Sequence, residues 1–485
     1  MTDVVSDATT GAMNDATRDA IIVGAGPVGL MLAAELRLAG ADVLVLERLE
    51  APTGLSKALG ITGRGEDYLA MRGLLERFRR RAPPAPPANL LHFGLIPLDF
   101  GRTSLAPKGV FVPQAITEAI LEERARELGA VIRRGTTVAS IAERGDGVDI
   151  DTTEHGRSAA YRARYVVGCD GGRSTVRHAA GIDFPGTEPT SVLRLGDVRL
   201  AAGAPVPPML VPLGDGWLRL IAKEPIAADF DPSLPMTLDE LRASAARVFG
   251  IDVPIRETRW VSRFTDASRQ AEAYRRGRLL IAGDAAHIHL PAGGPGLLTG
   301  FGDALNLGWK LGAVLRGRAP DAILDTYDAE RRPVGASVLE HTRAQGRITS
   351  PDAGSRAMRA LVTELVEIPA VVERLAGILW QTDVRYRAAH GADHPLVGRF
   401  VPDATVSTTD GAVPLLSLLH DARWLAIETR PTFDDSIGRL GAARIAASAI
   451  SAAGASALLV RPDGHVAWAG DAADPSLAAT IAAWS

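Results

Sequence analysis

Apolar residues near the start of the sequence follow the pattern of a strand, a helix and a second strand. Residues 21–23 form a short apolar run, which is typical of a parallel strand that is buried on both faces. Helical spacing over 30–38 ends at Gly40, and the apolar run 41–46 ends at Glu47. This segment is therefore predicted to fold as a β-α-β unit.

The hydrophobic pattern then divides the rest of the sequence into three blocks. Buried-strand runs return at 165–167 and 279–282, so we expect both in one sheet with 21–23. Apolar and polar residues alternate at 193–200 and 217–221, which predicts a mostly antiparallel sheet. Later strand-like runs, at 424–427 and 457–460 with a turn at 461–464, predict a small α/β module.

These changes of pattern give the predicted domains. A flexible tail (1–19) precedes a first domain made of two segments (20–186 and 276–394). An inserted sheet domain (187–275) and a C-terminal domain (395–485) complete the chain. A long helical region over 304–346 is expected to break near Pro320 and Pro333, because proline interrupts a helix.

Composition excludes several classes of protein. The formal net charge is −4, from 53 basic and 57 acidic residues, so no broad basic field favours nucleic-acid binding. The single cysteine, Cys169, excludes an internal disulfide and a cysteine-rich metal site. The polar tail does not resemble a signal peptide, and no apolar run is long enough to span a membrane. These features favour a cytoplasmic protein.

The first candidate site is a glycine-rich turn that follows the first predicted strand. Gly24, Gly26 and Gly29 have the spacing of a dinucleotide-binding turn, in which the first makes the turn, the second admits a pyrophosphate and the third allows close packing. Glu47 ends the next strand, where a carboxylate accepts hydrogen bonds from ribose hydroxyls. An acidic residue there disfavours a ribose 2′-phosphate, so we exclude NADP as the ligand of this fold.

Two further motifs follow predicted strands, at 168–177 (GCDGGRSTVR) and 278–287 (RLLIAGDAAH). With these three motifs in this order, the chain resembles the class A FAD-dependent monooxygenases, and more closely their aromatic polyketide hydroxylase branch, over essentially its whole length. The resemblance implies an α/β fold. It comprises a Rossmann-like FAD-binding domain, an inserted mostly antiparallel sheet domain and a small C-terminal thioredoxin-like α/β domain.

The resemblance also implies site residues. Asp284 is expected on the flavin ribose, Asp170 within the loop of the second motif, and Gln114 against the flavin. The full set of implied cofactor contacts is Gly24, Gly26, Gly29, Glu47, Arg48, Lys57, Arg64, Gln114, Asp170, Gly283, Asp284, Pro291, Gly294, Gly296, Leu297 and Leu298. The implied catalytic positions are Pro291, Gly296 and Leu297. Lys57 stands where relatives usually have arginine, and a solvated loop lysine is the alternative interpretation.

The segment after the third motif departs from the family. Relatives typically carry Gln, Asn and Gln where this chain has Pro295, Leu298 and Gly302, so three polar groups are missing beside the flavin. A helix starting near Thr299 is expected to keep its N-terminal dipole there. Flavin binding is therefore expected, whereas the tuning of flavin reactivity is open.

Two histidines, His287 and His289, also follow the third motif. Two ligands at this spacing without a third do not make a metal site, so no metal is predicted. A buried structural role is favoured, and proton donation to a substrate is the alternative. The C-terminal module has no Cys-x-x-Cys, which excludes dithiol chemistry and leaves a structural or dimer-related role.

The resemblance implies an enzyme that tailors polyketides. In the favoured reaction NADPH or NADH reduces FAD, and a flavin C4a-hydroperoxide then hydroxylates a polycyclic substrate. The alternatives are a cyclase of the [4+2] type that uses FAD as a structural cofactor, and a flavin-binding protein without catalysis. The substrate pocket is expected between the flavin and the inserted sheet, with Trp217, Leu220 and Phe93 as candidate lining. The partner is a small molecule, without nucleic acid or membrane, and the protein is expected to be a monomer or homodimer.

Overall fold

The structure is a computed structural model. It describes residues 17–84, 91–203, 210–231, 234–387, 394–409, 411–450, 454–471, 474 and 476–485. Its helices are α1 (Pro27–Leu38), α2 (Arg64–Ala70), α3 (Leu75–Arg81), α4 (Gln114–Glu127), α5 (Thr175–Ala179), α6 (Leu238–Phe249), α7 (Pro295–Leu315), α8 (Asp325–Ile348), α9 (Ala353–Leu365), α10 (Pro369–Trp380) and α11 (Ser476–Trp484).

The longest strands belong to two of the sheets, and most of the other strands are short. Those of the first half are β1 (Arg18–Val23), β2 (Val43–Glu47), β3 (Ile61–Thr62), β4 (His92–Phe93), β5 (Ile96–Pro97), β6 (Gly109–Val110), β7 (Val131–Arg134), β8 (Thr136–Arg144), β9 (Gly147–Glu154), β10 (Arg157–Gly168), β11 (Gly186–Thr187), β12 (Ser191–Leu200), β13 (Leu210–Gly214) and β14 (Trp217–Pro225). Those of the second half are β15 (Ile255–Thr265), β16 (Ser268–Gln270), β17 (Arg275–Arg276), β18 (Leu279–Ile281), β19 (His287–Ile288), β20 (Thr405–Thr408), β21 (Gly411–Pro414), β22 (Leu425–Glu428), β23 (Ala443–Ala446), β24 (Ala449–Ile450), β25 (Ala457–Val460) and β26 (Val466–Gly470).

A parallel sheet in the order β18-β10-β1-β2-β7 forms the centre of the first domain, as the buried apolar runs predict. The antiparallel strand β17 extends one edge, and the β8–β9 hairpin pairs with β10. Each of the three sequence motifs follows the carboxyl end of a central strand. The motifs therefore lie at one edge of the sheet, where open α/β sheets bind ligands.

The start of this sheet differs from the prediction. Arg18 and Asp19 were expected in the tail, but both belong to β1. Arg18 Nη1 lies 2.9 Å from Asp42 Oδ2, and the Asp42 amide donates to Asp19 at 2.9 Å. These contacts join the first strand to the loop before β2, which an inspection of hydrophobicity alone does not detect. Residues 1–16 of the predicted tail lie outside the described residues.

The inserted block is an antiparallel sheet in the order β13-β14-β12-β15, with α6 packed against one face. Val198, Leu220 and Leu241 form the centre of the apolar cluster between the sheet and α6. The next strand, β16, pairs with both β11 and β19, so a small second sheet joins the insertion to the first domain.

The helical region differs from the prediction at two points. Helix α7 begins at Pro295 rather than near Thr299, because proline at the first helical position has a preset φ and needs no amide partner. The break near Pro320 is confirmed, whereas Pro333 lies inside α8, which continues to Ile348. Buried residues before and after Pro333, such as Tyr327 and Leu339, hold that helix together through packing.

The C-terminal block contains a sheet in the order β23-β22-β25-β26, with one parallel pair, two antiparallel pairs and α11. The buried Arg72 side chain holds this block to the first domain, because it donates to Glu35 and to the carbonyls of Leu419 and Pro462. The α/β fold class with a separate antiparallel sheet is thus confirmed.

Candidate functional site

The glycines of the first motif occupy three different environments at the end of β1. Gly24 has a φ of +104°, and a β carbon there would lie 2.4 Å from the Cys169 carbonyl oxygen. A β carbon at Gly29 would lie 2.1 Å from the Gly24 carbonyl oxygen. A β carbon at Gly26 would meet nothing within 4 Å. The first and third glycines are thus required by packing, whereas the second borders open space at the start of α1.

Glu47 lies beside this turn at the end of β2. Its carboxylate accepts hydrogen bonds from the amides of Ala25 at 2.8 Å and Leu49 at 2.9 Å. These two bonds fix the carboxylate next to the glycine-rich turn. Arg48 follows it and is exposed.

The second motif is a loop held by its aspartate. Asp170 Oδ2 accepts from the Thr175 amide at 2.6 Å, while its Oδ1 is buried without a partner in the described structure. The guanidinium of Arg177 donates to the carbonyls of Gly172 and Ala285, at 2.8 and 2.9 Å. Arg177 therefore joins the second motif to the third.

The third motif forms a 3-10 turn over Gly283–Ala285. Gly283 has a φ of +62°, and a β carbon there would lie 3.0 Å from the side chain of Val28. Asp284 is exposed beside this contact. A β carbon at Gly300 would also meet Val28, at 2.4 Å, and would lie 3.6 Å from Gly283. Helix α7 therefore packs against the first and third motifs. The structure thus brings Gly26, Glu47 and Asp284 together with the start of α7 at one sheet edge.

The start of α7 is built from small residues. Gly293 and Gly294 both have a left-handed backbone, with φ of +77° and +67°, and Pro291 before them is exposed. A β carbon at Gly296 would lie 3.6 Å from the His289 ring. Leu297 is half-buried at the same turn. The N-terminus of a 21-residue helix, whose first amides have no partner within the helix, therefore follows the third motif directly.

The three departures from the family have structural explanations. Leu298 is buried in the core, and its side chain packs against α2, 3.6 Å from where a β carbon of Gly65 would lie. A β carbon at Gly302 would lie 2.6 Å from the Arg331 guanidinium, so the glycine makes room for that group. Pro295 occupies the first helical position of α7.

A buried charge cluster behind α7 was not identified from the sequence. Asp303 Oδ1 accepts from Arg331 Nε at 2.8 Å, and its Oδ2 accepts from the Gly283 amide at 3.1 Å and lies 2.8 Å from His287 Nε2. Arg331 also donates to the Thr299 carbonyl and to the Tyr386 hydroxyl, both at 3.0 Å. The signal for this cluster was present, since an aspartate within a mostly apolar helix requires a partner when it is buried.

The pKa of Asp303 reflects this pairing. Desolvation opposes ionisation, but the positive charge of Arg331 and the hydrogen bonds from Arg331 and His287 hold the pKa below its usual value. The carboxylate is thus charged and connects the third motif, β19 and α7. His287 has the buried structural role that the sequence analysis favoured.

Two further histidines lie near the start of α7. Burial lowers the pKa of His289, whose Nδ1 is 2.9 Å from the Leu290 carbonyl oxygen. Burial, together with the nearby His289, lowers the pKa of His341 to about 4. Both imidazoles are therefore neutral at pH 7.

Other predicted cofactor contacts lie at varying distances from the motifs. Gln114 accepts from the Ala58 amide at 3.1 Å, at the start of α4, and Lys57 is exposed in the same loop. Arg64 lies elsewhere, because its guanidinium is 4.2 Å from the Phe400 ring centroid and 2.7 Å from Asp67. The contact of Arg64 with flavin thus stays a prediction that this conformation does not favour.

The three candidate pocket residues also lie in different parts of the structure. Leu220 packs against α6 on the far face of the inserted sheet, so its assignment to the pocket is wrong. Phe93 belongs to an apolar cluster with Phe100 and Trp380. Trp217 has its ring covered by the guanidinium groups of Arg199 and Arg259, at 4.7 and 4.0 Å.

The sheet edge fits a flavin dinucleotide. Gly26 leaves space for a pyrophosphate at the start of α1, and the carboxylates of Glu47 and Asp284 can accept from ribose and ribityl hydroxyls. The N-terminus of α7 lies at the same edge, where a helix dipole favours negative charge. In the described part of the chain, no three histidine, cysteine or acidic side chains form a metal-binding group. None of the described helices is long and apolar enough to cross a membrane.

Comparison with family models agrees with this geometry. Residues 17–342 match the model of an FAD binding domain. Residues 394–485 match the model of the C-terminal domain of aromatic-ring hydroxylases. Together these two matches span most of the chain.

Comparison with individual proteins gives the same result. The chain is 44% identical over 480 residues to the 12-dehydrotetracycline 5-monooxygenase/anhydrotetracycline 6-monooxygenase of Streptomyces rimosus, covering 93% of this chain and 95% of the relative. The structure of the OxyS anhydrotetracycline hydroxylase from Streptomyces rimosus superposes with a TM-score of 0.89 at 42% identity, over 97% of this chain and 99% of that one.

A relative with a different activity is also similar. The dialkyldecalin synthase of Streptomyces rugosporus is 38% identical over 488 residues, covering 96% of this chain and 98% of the relative. The FAD-binding motifs, the family models and the full-length matches lead to one conclusion. The chain binds FAD and belongs to the class A flavoprotein monooxygenases, the family of FAD-dependent aromatic-ring hydroxylases.

Proposed function

We propose that this protein is an FAD- and NAD(P)H-dependent hydroxylase of a polycyclic polyketide. The observation that carries the proposal is the convergence of the three motifs and the start of α7 at one sheet edge, in a chain similar over its full length to a tetracycline monooxygenase. Bound FAD supplies the reduction of dioxygen by NAD(P)H and the transfer of one oxygen atom to the substrate. The protein binds and orients the substrate and excludes water from the site.

The residues at the sheet edge have different proposed roles in binding FAD. Gly26 and the start of α1 would hold the pyrophosphate, Glu47 would accept from the hydroxyls of the adenosine ribose, and Asp284 would accept from the ribityl chain of the flavin half. Gly296 and Leu297 would present backbone amides of the α7 terminus to the flavin ring, where a helix dipole stabilises negative charge. The amide of Gly294 already donates to the Pro291 carbonyl at 3.2 Å, so this glycine would contribute its left-handed turn rather than its N–H group. Pro291, which is exposed before the α7 terminus, would border the ring and present an apolar side chain there.

A second candidate is a cyclase without net redox change. Two observations favour it: the polar side chains that relatives carry are replaced by Pro295, Leu298 and Gly302, and a dialkyldecalin synthase is similar over the full length. Structural explanations for Leu298 and Gly302 weaken it, since both are accounted for by packing against Gly65 and Arg331. We therefore keep hydroxylation as the main proposal.

The two candidates differ in what they consume. The FAD-loaded protein is titrated with NADPH and NADH without oxygen, alone and with aromatic polyketides such as anhydrotetracycline, while the visible flavin absorbance is followed. The hydroxylase bleaches, and faster with its substrate; in air its product gains one oxygen atom. A flavin that never bleaches, with a product equal in mass to the substrate, contradicts hydroxylation and supports the cyclase.

A further inference from the structure

The inserted sheet has a second face, opposite α6. Because side chains alternate along each strand, the strand register shows which residues lie on that face. Glu224 bonds Ser244 of α6 at 2.9 Å, so its neighbour Lys223 points to the other face. Arg219 lies on that other face too, because its guanidinium donates to the carbonyls of Ser56 and Lys57 in the first domain. The face with Lys223 and Arg219 therefore looks toward the FAD-binding domain.

Between its two charged positions this face is mostly apolar, with one hydroxyl, that of Ser262, paired beside Leu195. Strand pairing places Leu193, Leu195, Ile221 and Phe264 there, and Ile221 and Phe264 are only half-buried. Arg219 at one end is neutralised by Asp197 at 2.8 Å, and Trp260 donates to the same carboxylate at 2.8 Å. A strand rise of about 3.3 Å per residue puts Lys223 roughly 13 Å farther along. The face thus offers an apolar surface for a flat ring system.

Lys223 differs from Arg219 in having no ion pair. Its Nζ has no hydrogen-bond or salt-bridge partner among the described residues, although the side chain is half-buried. The charged group that acts on it is Asp266, whose carboxylate already accepts from the Thr190 and Ser191 amides at 2.7 and 2.9 Å. An unpaired amine at the edge of an apolar face is complementary to an anionic oxygen on a bound molecule.

We propose that Lys223 binds an ionised enol or phenol oxygen of the substrate, so that the inserted sheet selects flat polycyclic molecules with an acidic hydroxyl. The inference rests on the proposed function, since it assigns the substrate class of the same site. Burial lowers the pKa of Lys223, with Asp266 opposing the shift. An anionic ligand would restore the stability of the charged amine, and the amine would in turn lower the pKa of the ligand hydroxyl.

The test is a binding measurement on the oxidised, FAD-loaded protein without NAD(P)H. The probe is 1,2-dihydroxyanthraquinone, whose visible absorption changes when its hydroxyl ionises, and 1,2-dimethoxyanthraquinone serves as the probe that does not ionise. We expect Lys223→Met to bind the dihydroxy probe about tenfold more weakly than wild type at pH 8, with equal binding of the dimethoxy probe. Lys223→Arg should keep the tighter binding, and Arg256→Met, at an exposed position of the inserted sheet, is the control for loss of a positive charge.

The spectrum gives a second readout that a merely structural role would not move. With wild type, the bound dihydroxy probe should ionise at a lower pH than the free probe, and with Lys223→Met this difference should disappear. An unchanged ionisation in Lys223→Met overturns the proposal, as does wild-type protein that binds neither anthraquinone. Because no turnover enters this measurement, its failure is distinct from failure of the hydroxylase assay, which depends on NAD(P)H oxidation and product mass.

Discussion

At the scale of single residues, the glycines of the first motif separate folding from cofactor binding. A β carbon at Gly29 would lie 2.1 Å from a backbone oxygen, whereas one at Gly26 would meet no protein atom within 4 Å. We expect Gly29→Ala to lower the free energy of unfolding by about 1–3 kcal/mol, as overpacking does. Gly26→Ala should leave stability unchanged and weaken FAD binding, because its methyl group enters the pyrophosphate space.

Both glycine variants are compared with wild type by urea unfolding of the flavin-free protein and by FAD titration. Gly438→Ala is a control for the general effect of replacing a glycine, because Gly438 is exposed and a β carbon there would meet nothing within 4 Å. An unfolding curve of Gly26→Ala displaced as far as that of Gly29→Ala contradicts the assignment of Gly26 to the cofactor.

Asp284 gives the second prediction at this scale. Its carboxylate is exposed at the third motif, so replacing it costs the fold little and removes an acceptor for a ribityl hydroxyl. Loss of a charged hydrogen bond of about 1.5–3 kcal/mol corresponds to FAD binding weaker by roughly ten- to a hundredfold in Asp284→Ala. Flavin content of the purified variant and an FAD titration measure this. Asp252→Ala, on the exposed surface of the inserted domain, is the matched control, and undiminished flavin content in Asp284→Ala contradicts the role.

At the scale of elements, α7 is positioned by one buried arginine of α8. Arg331 pairs with Asp303 at 2.8 Å and donates to the Thr299 carbonyl at 3.0 Å, while Gly302 leaves space for its guanidinium. Arg331→Met removes the partner of a buried carboxylate, which costs about 3–5 kcal/mol in stability. The remaining Asp303 still contacts the Gly283 amide, so its altered charge balance should also displace the third motif and weaken FAD binding.

The measurements are urea unfolding and FAD titration of Arg331→Met, with Arg332→Met as the control because the neighbouring side chain is exposed. The double variant Arg331→Met with Asp303→Asn removes the unpaired charge. We expect it to recover part of the stability. A single variant as stable as wild type would show that the pair does not hold α7.

How far the sequence predicts this structure also depends on scale. Strand runs near Ile21, Val166 and Leu280 report burial directly, so the parallel sheet and the position of its motifs follow from local pattern. The Asp303–Arg331 pair joins residues 28 positions apart, and such pairing leaves no periodic trace in the sequence. Leu220 was misplaced for a related reason, since alternation shows that a strand has two faces but not which element covers each.

At the scale of the whole molecule, the C-terminal module is joined to the first domain by a buried charge network. Glu330 of α8 accepts from Arg461 of the module at 2.7 and 2.8 Å and from Lys310 of α7 at 2.7 Å. Trp309 of α7 donates to Asp463 of the module at 3.2 Å. This arrangement supports a structural role for the module. The ionised carboxylate of Glu330 is the group that holds the module to the first domain.

The pH dependence of stability tests that network. Desolvation opposes ionisation of Glu330, but the charges of Arg461 and Lys310 lower its pKa to about 2, from about 4.5. A lowered folded-state pKa contributes stability that is complete above about pH 4.5 and is lost as the pH falls toward 2. Wild type should therefore lose stability steeply below pH 4.5. Glu330→Gln should be less stable at pH 7, and its stability should depend less on pH in that range. The difference in free energy of unfolding between wild type and Glu330→Gln should therefore narrow in acid.

Urea unfolding at pH 7, 5, 4 and 3.5 measures this difference, with Glu340→Gln as the exposed control on the same helix. A constant difference between wild type and Glu330→Gln at all four values contradicts the assignment, because the carboxylate would then contribute nothing through its ionisation.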